Sequence, residues 1–472
     1  MLFPTVAFAC FFCVAFLANW LLRPAFTTWR VTMIALSLFF YGWWDPRFVA
    51  LLGASIVGNH LAAAALEWAR PTRWRTNATL TVAVVANLAV LGVFKYYGFF
   101  VTSAINGLAR FGIEASPPLL DLTLPIGISF FTFQAIGYLV DLRRGDLDEP
   151  LPFLDLAFFL SFFPQLVAGP IVRATNMAPQ IQRRPDPRRV PAGEAFWLIT
   201  IGLFKKLVIS SYLATTLVDP VFDVPGNHSR AEVLLAVYGY AVQIYADFSG
   251  YTDIAIGCAL LLGFRIPANF NAPYRATSLQ DFWRRWHISL SSWLRDYLYI
   301  PLGGSQRGAI VTARNVAITM LLGGLWHGAS FTFVIWGGIH AAGLLVERVV
   351  RHLWRPTGIP ADVSRVVGWL FTFHVVALAW VFFRADSLER ALDLLDQLVA
   401  GGEPAPLVTT GLVALITAAL AAQFVPPAMA TATRDRFART RPALQAVTLA
   451  AGLTVVARLG PDGVAPFIYY QF

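Results

Sequence analysis

The sequence has few charged residues and almost no cysteine. Asp, Glu, Lys and Arg make up 13% of its 472 residues and hydrophobic residues 57%, whereas a soluble protein carries about 25% charged residues. No polar stretch is long enough to form a soluble domain, so we predict one membrane-embedded domain over residues 1–472. Cys10, Cys13 and Cys258 lie in apolar segments without paired spacing, which argues against a disulfide framework or a cysteine metal site.

Several catalytic motifs are also absent. The chain has no G-x-S-x-G, no H-E-x-x-H and no phosphate-binding Gly-x4-Gly-Lys-Ser/Thr loop, and no histidine pair has metal-ligand spacing. We therefore expect neither a serine-nucleophile triad nor a bound metal or cofactor. The net charge of +9 does not indicate nucleic acid, because the Arg residues lie in short loops between apolar segments, where the positive-inside rule explains them.

Apolar segments of membrane-spanning length occur along the whole chain. A transmembrane helix needs about 20 mainly apolar residues, so we predict an all-α polytopic membrane protein with about 11–13 transmembrane helices. The first segment lacks preceding basic residues and a small-x-small cleavage site, and we interpret it as a retained span. The candidate spans are 2–22, 30–44, 47–66, 78–105, 119–140, 195–218, 232–263 (one segment or two shorter pieces), 309–326, 329–346, 366–384, 407–425 and 444–459.

The loop arginines predict an orientation. Arg follows the first, third and fifth spans, and the loops after the second and fourth have few Lys or Arg. We therefore expect the N-terminus outside and the Arg-bearing loops in the cytoplasm. Segment 153–172 is apolar but has Arg on both sides, and Pro164, Gly169 and Pro170 interrupt it. We predict a re-entrant or broken segment that returns to the cytoplasmic side, which is tolerated only inside protein or beside a water-filled cavity.

The pattern of apolar and basic residues over 281–299 predicts an amphipathic helix. At about 100° per residue, Trp283 and Trp286 share an apolar arc, and Arg284 and Arg285 lie on the opposite one. A Trp-rich face opposite an Arg-rich face is typical of a helix that lies in the membrane interface. His287 falls in the apolar arc, so its ring has a partner or a function. A core histidine that is hydrogen-bonded to a backbone carbonyl is the alternative.

His327 lies at the junction of two apolar segments. It follows Gly323 and Gly324, and glycines permit close backbone approach or a local break that exposes the imidazole to a cavity. A helix-packing glycine pair with a satisfied histidine is the alternative. For the other histidines we expect packing roles at His60, His340 and His374, and solvated positions at His228 and His352.

Histidine as a general base is the chemistry that remains. A pKa near 6.5 leaves neutral imidazole available at physiological pH. Transfer of an acyl group from a thioester to a hydroxyl needs such a base, because the hydroxyl proton must leave as the oxygen attacks. A basic cytoplasmic face would attract a polyanionic donor such as a coenzyme A ester. A transporter or flippase, and a scaffold that anchors a secreted transferase, are the alternatives.

Motifs along nearly the whole chain carry a resemblance to a known family. The chain resembles the membrane-bound O-acyltransferase (MBOAT) family and, within it, the bacterial alginate O-acetyltransferase branch. The motifs are FKYYGFF (94–100), LPIGISFFTFQAIGYLVD (124–141), FFPQLVAGPI (162–171), YADFSGYTDIAIG (245–257), NFNAPYRATSLQDFWRRWHISLSSWLRDYLYIPLGG (269–304), GGLWHGASFTFVIWGGIH (323–340) and PFIYYQF (466–472).

The resemblance implies a funnel-shaped membrane enzyme and assigns roles to residues. The family's essential histidine, in its W-H-G motif, corresponds to His327, as base or proton relay for the acceptor hydroxyl. The histidine of its R-W-H-I-S-L-S-x-W motif corresponds to His287, as polar partner or donor contact. Structural hydrogen bonding is the favoured role for its D-F-S-x-Y-x-D segment. The candidate substrate-binding residues are Trp326, Asp247, Ser249, Asp253, Arg284 and Arg285.

The resemblance also implies the substrates and partners. It implies transfer of an acetyl group from cytoplasmic acetyl-CoA, a substrate rather than a bound cofactor, toward an extracytoplasmic polysaccharide. The tail motif favours an alginate-like system in the bacterial inner membrane, with a separate SGNH or esterase-like partner and a polysaccharide synthesis complex. Acylation of cellulose or peptidoglycan and D-alanylation of teichoic acid are the alternatives. We expect contact with membrane lipids and none with nucleic acid.

Overall fold

The computed structural model describes residues 1–113, 123–167, 169–353, 360–400, 402, 405–459 and 468, and their regular structure is entirely helical. The prediction of an all-α protein is confirmed. Two compact units are present, Met1–Val190 with Cys258–Pro267, and Pro191–Gly257 with Ala268–Phe472. A single domain over 1–472 remains a prediction.

The helices in the first part of the chain range from four to 23 residues in length. They are α1 (Val6–Leu21), α2 (Phe26–Gly42), α3 (Arg47–Ala69), α4 (Arg73–Leu91), α5 (Tyr97–Ala109), α6 (Ile128–Arg144), α7 (Phe153–Ser161), α8 (Phe163–Leu166) and α9 (Ala174–Ile181). A π-helical turn, Gly92–Tyr96, joins α4 to α5.

The remaining helices are α10 (Ala192–Leu203), α11 (Ser211–Leu213), α12 (Asp219–Asp223), α13 (Arg230–Leu261), α14 (Leu279–Arg285), α15 (Ile288–Leu294), α16 (Ala309–His327), α17 (Phe331–Leu353), α18 (Ala361–Arg384), α19 (Leu388–Ala400), α20 (Thr410–Ala422), α21 (Pro427–Ala438) and α22 (Pro442–Leu459). Among them, α16 carries His327 and α17 carries His340, and His287 lies between α14 and α15. Further π-helical turns are Phe204–Ser210, Ala214–Val218 and Arg295–Tyr299.

The described residues contain seven helices that are long and apolar enough to cross a membrane, or eight if α20 and α21 form one span bent by 94°. This confirms a polytopic membrane protein, with fewer such helices than the 11–13 predicted. The predicted spans near 2–22 and 30–44 form helices of 16 and 17 residues, which are short for a crossing of about 20 residues. The helices that qualify are Arg47–Ala69, Arg73–Ala109, Ala192–Asp223, Ala309–His327, Phe331–Leu353, Ala361–Arg384 and Pro442–Leu459.

Two further predicted spans differ from the structure. Part of the span at 119–140 lies outside the described residues, and the helix there, α6, begins at Ile128 and has 17 residues. The segment at 232–263 is one continuous helix of 32 residues rather than two pieces. It does not qualify as apolar, because Asp247 and Asp253 fall within it.

The segment predicted to be broken is broken. Helix α7 has nine residues and ends at Ser161; Phe162, which follows it, has ψ 107°, and α8 has four residues. Nine residues rise about 14 Å, which is too short to cross a hydrocarbon core of about 30 Å. Phe158, Phe159 and Phe163 are buried, and Asp155 pairs with Arg30 at 2.5 Å. The broken backbone therefore lies inside protein, as its cost in a membrane requires.

The return of this segment to the side of entry is testable. In a background without Cys10, Cys13 and Cys258, we expect Asp146→Cys and Arg188→Cys to react with a membrane-impermeant maleimide from the same side of intact cells or inverted vesicles. Both positions are exposed, so access to the reagent depends on the side of the membrane. Labelling of the two positions from opposite sides would mean that 153–172 crosses the bilayer.

Candidate active site

A break in the backbone at His287 sets the geometry of the site. Helix α14 ends at Arg285, Trp286 is extended, and His287 has φ 39° and ψ 57°, in the left-handed region. Among the described residues, only Ala272 shares a positive φ without being glycine. The prediction of one continuous helix over 281–299 is therefore wrong. A residue other than glycine in this region is strained and persists only where surrounding contacts hold it.

The segment just before the helices supplies those contacts. The Ile288 N–H donates to the Asn269 carbonyl oxygen at 2.9 Å, and the Ser289 N–H donates to Asn269 Oδ1 at 3.3 Å. The Asn271 N–H donates to the Arg285 carbonyl oxygen at 3.0 Å. Helix ends leave N–H and C=O groups without partners inside the helix. Asn269 and Asn271 therefore satisfy both ends of the break, and this stabilises a sharp turn at His287.

Glycines bring α16 and α17 together beside His327. A Cβ on Gly324 would lie 2.2 Å from the Phe333 carbonyl oxygen, and one on Gly337 would lie 2.4 Å from the Met320 carbonyl oxygen. Only glycine permits backbones to approach so closely. His327 is the last residue of α16, so its imidazole lies at the helix end, where the chain turns into α17. The close approach predicted from the glycines is confirmed.

The structure brings His287 and His327 together in an aromatic enclosure. Their ring centroids are 6.5 Å apart, and Trp326 contacts both rings, at 5.8 Å from His287 and 5.0 Å from His327. Phe248 meets His287 edge to face at 4.6 Å. His287 is fully buried and His327 is 3% exposed. Two histidines that are far apart in sequence thus share one buried site.

His340 lies in the same cluster, beyond Trp336. Trp336 contacts His327 at 4.9 Å and His340 at 4.8 Å, and Trp283 contacts His340 at 5.1 Å. His340 is fully buried. Its packing against aromatic rings agrees with the role predicted for it, although it lies much nearer to His327 than its place in the sequence suggests.

Burial determines the protonation of His287. Removing the imidazole from water disfavours its charged form and lowers the pKa of His287 to about 3. His287 is therefore neutral at physiological pH. A neutral imidazole with so low a pKa is a weak proton acceptor, but it can still donate or accept a hydrogen bond.

The acidic residues of the D-F-S-x-Y-x-D segment are held by lysines. Lys206 Nζ pairs with Asp247 Oδ1, and both side chains are buried. Asp247 Oδ2 also accepts the Ile468 N–H at 2.8 Å, and Lys205 pairs with Asp253 at 2.6 Å. These ion pairs support the structural role over substrate binding. They also fix α13, which carries Phe248 against His287.

Three other predicted residues have different surroundings. Ser249 Oγ is buried and has no hydrogen-bond partner within the part of the chain that the structure describes. Arg285 is engaged by Asp281 at 2.9 Å and donates to the Asn271 carbonyl oxygen at 3.2 Å. Arg284 is exposed and lines a cavity of about 560 Å³ between α14–α15 and α16–α17. Of the two arginines, Arg284 is better placed to contact a ligand.

The sequence prediction missed the residues that support the site. Asn269 lies within a quoted motif, but its capping role depends on a contact across the fold. Lys205 and Lys206 sit in the π-helical turn Phe204–Ser210, within an apolar span. Lysines in such a span are costly unless they are paired. That cost is the signal that would have pointed to acidic partners on another helix.

Comparison with known proteins agrees with the motifs. Residues 142–384 match the MBOAT, membrane-bound O-acyltransferase, family. The chain is 39% identical over 429 residues to a peptidoglycan O-acetyltransferase of Helicobacter pylori, covering 84% of this chain and 79% of the relative. Probable alginate O-acetylases AlgI are 40% identical in Azotobacter vinelandii (83% and 76% covered) and 35% identical in Pseudomonas putida (94% of each).

The membrane-length helices define a polytopic membrane protein, and the enclosed histidine pair is its candidate active site. The matched residues include His287 and His327. The chain belongs to the membrane-bound O-acyltransferase family. The resemblance to this family is thereby confirmed, and the protein is an O-acyltransferase.

The capping role of Asn269 can be tested against its neighbour. Asn269→Ala removes the Oδ1 acceptor of the Ser289 N–H, so we expect a loss of about 0.5–2 kcal/mol in stability, the usual cost of a lost helix cap. We also expect lower acyl transfer at temperatures where the variant is folded, because the His287 turn loosens. Thermal unfolding in detergent and initial rates measure the two effects.

Asn271→Ala is the matched control for this prediction. Asn271 contributes backbone groups to the break, and these survive the substitution, so stability and rate are expected to stay near wild type. Equal losses in Asn269→Ala and Asn271→Ala would contradict the capping role.

Proposed function

We propose that this protein moves an acetyl group from cytoplasmic acetyl-CoA toward an extracytoplasmic, alginate-like polysaccharide, with His327 as the general base. The observation that carries the proposal is the convergence of His287 and His327, with ring centroids 6.5 Å apart, inside an aromatic enclosure. General-base catalysis needs an imidazole near the reacting hydroxyl, and exclusion of water protects the thioester from hydrolysis.

The transfer is a substitution at the thioester carbonyl carbon. The acceptor oxygen attacks this carbon, the new C–O bond forms and the C–S bond breaks. His327 takes the proton from the acceptor hydroxyl and returns it to the departing thiolate, so that free thiol and acetyl ester are the products. His287, which is neutral because burial lowers its pKa to about 3, is a hydrogen-bonding partner rather than the base.

The cavity beside α14 supports a polyanionic donor. Its walls carry Arg284, Arg295, Arg348 and Arg351, and Arg–phosphate hydrogen bonds recognise the phosphates of a coenzyme A ester. Trp283 lines the same cavity and contacts Trp336 at 5.7 Å, which in turn contacts His327. The donor phosphates would bind among the arginines and the acetyl end would point along these aromatic rings toward His327.

The names of the relatives support the acceptor. Two of those compared are named as probable alginate O-acetylases, which supports an alginate-like acceptor. A place in the bacterial inner membrane, and an esterase-like extracytoplasmic partner beside a polysaccharide synthesis complex, are part of the proposal that the family resemblance implies. Peptidoglycan is the second candidate acceptor, because another relative is named as a peptidoglycan O-acetyltransferase.

Replacement of His327 should slow acetyl transfer strongly. With purified protein, labelled acetyl-CoA and either alginate oligosaccharides or peptidoglycan fragments, each offered with and without the extracytoplasmic partner, we expect His327→Ala to lower kcat by about 10²–10⁴-fold, the usual contribution of a general base. Label transferred to the acceptor, counted after separation, is the measurement. The acceptor that gains label identifies the polysaccharide.

A histidine outside the enclosure provides the control. His374 bonds to Tyr238 at 2.9 Å, away from the cluster around His327, and His374→Ala is expected to transfer acetyl at the wild-type rate. Wild-type activity in His327→Ala would rule out the general-base role. A transporter would give no transfer from acetyl-CoA in the purified system, and a scaffold would give transfer only with the partner present and at the same rate in His327→Ala.

The donor cavity can be tested through KM. Arg284→Gln with Arg348→Gln removes two exposed positive charges, so we expect KM for acetyl-CoA to rise about tenfold, or about 1.4 kcal/mol, with a smaller effect on kcat. Salt should raise the wild-type KM more than that of the double variant, because screening weakens exposed charge interactions.

Arg365→Gln is the control for donor binding. Arg365 is exposed on α18 and pairs with Asp362 at 3.2 Å, outside the cavity. KM for acetyl-CoA should therefore not change in this variant. An unchanged KM in the double variant, or an equal rise in Arg365→Gln, would place the donor elsewhere.

A further inference from the structure

The first unit contains an open groove that the acyl-transfer site does not use. It has a volume of about 670 Å³, its lining is mostly apolar, and it runs between α3 and α4 with α6 behind it. Small side chains such as Ala62 on α3 and Ala86 on α4 leave room for an occupant. Its polar lining includes Asn59 and Asn87, which bond to each other at 2.9 and 3.1 Å. Their amides are therefore engaged within the protein, and the groove suits an apolar occupant.

A basic pocket adjoins one end of this groove. It measures about 390 Å³ and is lined by Arg70, Arg73, Arg143 and Arg144, together with Glu67. Glu67 pairs with Arg70 at 3.1 Å, so the arginines outnumber the only carboxylate in the lining. The groove reaches Ala65 on α3 and the lining of the pocket begins at Leu66, so the pocket follows the groove along the same helix.

We propose that the groove and the pocket together form a binding site for one anionic phospholipid. The phosphate of the headgroup lies among the four arginines, and an acyl chain lies in the groove between α3 and α4. Basic pockets between membrane helices bind anionic headgroups in this way. This inference is independent of the proposed acetyl transfer.

The dimensions of the groove fit an acyl chain. From Leu51 to Ala65, α3 rises about 21 Å at 1.5 Å per residue, whereas one leaflet of a bilayer with a ~30 Å hydrocarbon core is ~15 Å deep. A chain that leaves the headgroup at the basic end therefore stays in contact with the protein through its whole leaflet.

The location of the arginines fits the same ligand. Both α3 and the α4–α5 helix are of membrane-spanning length, so the groove faces hydrocarbon and the pocket lies at the end of the span. The loop arginines predict that this end is cytoplasmic, and the cytoplasmic leaflet carries the anionic lipids. The positive-inside rule alone would require only exposed basic residues at this end of the span. Here the charges line a concave pocket that follows an apolar groove along α3 and α4.

The headgroup contact is tested by counting bound lipids. Native mass spectrometry of the full chain in detergent, with added phosphatidylglycerol or phosphatidylcholine, is expected to show preferential binding of phosphatidylglycerol. Arg73→Gln with Arg144→Gln should lower phosphatidylglycerol occupancy about fivefold or more, given the strength of attraction of each basic side chain to an anionic lipid. Phosphatidylcholine binding should not change.

A neighbouring arginine gives the matched control. Arg75 lies on the same turn of α4 as Arg73, outside the pocket lining, and stacks on Trp68 and Trp74 at 5.7 and 5.6 Å. Arg75→Gln is expected to keep phosphatidylglycerol occupancy. Equal loss in this variant would overturn the proposal, because it would indicate attraction to surface charge in general. Equal binding of the two lipids by the wild-type protein would overturn it too, because the site would then have no preference for an anionic headgroup.

The acyl-chain contact has its own pair of variants. Ala62→Phe fills the groove, whereas Ala64→Phe adds the same ring at an exposed position of α3 that does not line the groove. Only Ala62→Phe should lower phosphatidylglycerol occupancy. No difference between the two variants would contradict occupation by a lipid chain. A dimer that persists in lipid and is disrupted by Ala62→Phe would contradict it as well, because a second copy would then cover the groove.

Discussion

The left-handed turn at His287 is the constraint on which the site depends. A continuous helix through residues 279–299 would carry this imidazole along with its neighbours on one face. Instead, Asn269 and Asn271 satisfy the backbone groups on either side of the turn, and the chain changes direction between Trp286 and Ile288. The ring of His287 therefore packs between Phe248 and Trp326. A strained residue that is held by contacts from another segment is where a function is expected.

The aromatic enclosure then determines what these histidines can do. Rings of Trp and Phe exclude water, so charged imidazole is disfavoured at His287, and electrostatic interactions with a bound substrate are stronger than in water. The ion pairs of α13 with Lys205 and Lys206 neutralise acidic groups that would otherwise be costly in this environment. An acyl transfer site needs this combination of fixed geometry and little water. A transport pathway would instead need polar groups that a solute can reach.

Much of the fold and part of the site could be predicted from the sequence. Composition identified an all-α membrane protein, and Gly324 and His327 were recognised as a close-packed junction. Periodicity failed at 281–299, because it cannot detect that Asn269 captures the amides of Ile288 and Ser289. Apolar composition also does not reveal where a helix ends, as α7 does at Ser161. The meeting of His287 with His327 depends on tertiary packing, which no local pattern contains.

In the proposed reaction, the reacting carbonyl of the acyl donor lies beside the rings of His287 and His327. A cryo-EM structure with a non-hydrolysable acetyl-CoA analogue tests it most directly. We expect the phosphates of the analogue to lie among Arg284, Arg295 and Arg348, and its acetyl carbonyl to lie inside the aromatic enclosure. His327 should then lie within hydrogen-bonding reach of the position of the attacking hydroxyl, either directly or through one water molecule. An analogue bound with its acetyl group outside the enclosure, beyond the reach of both imidazoles, would contradict the account.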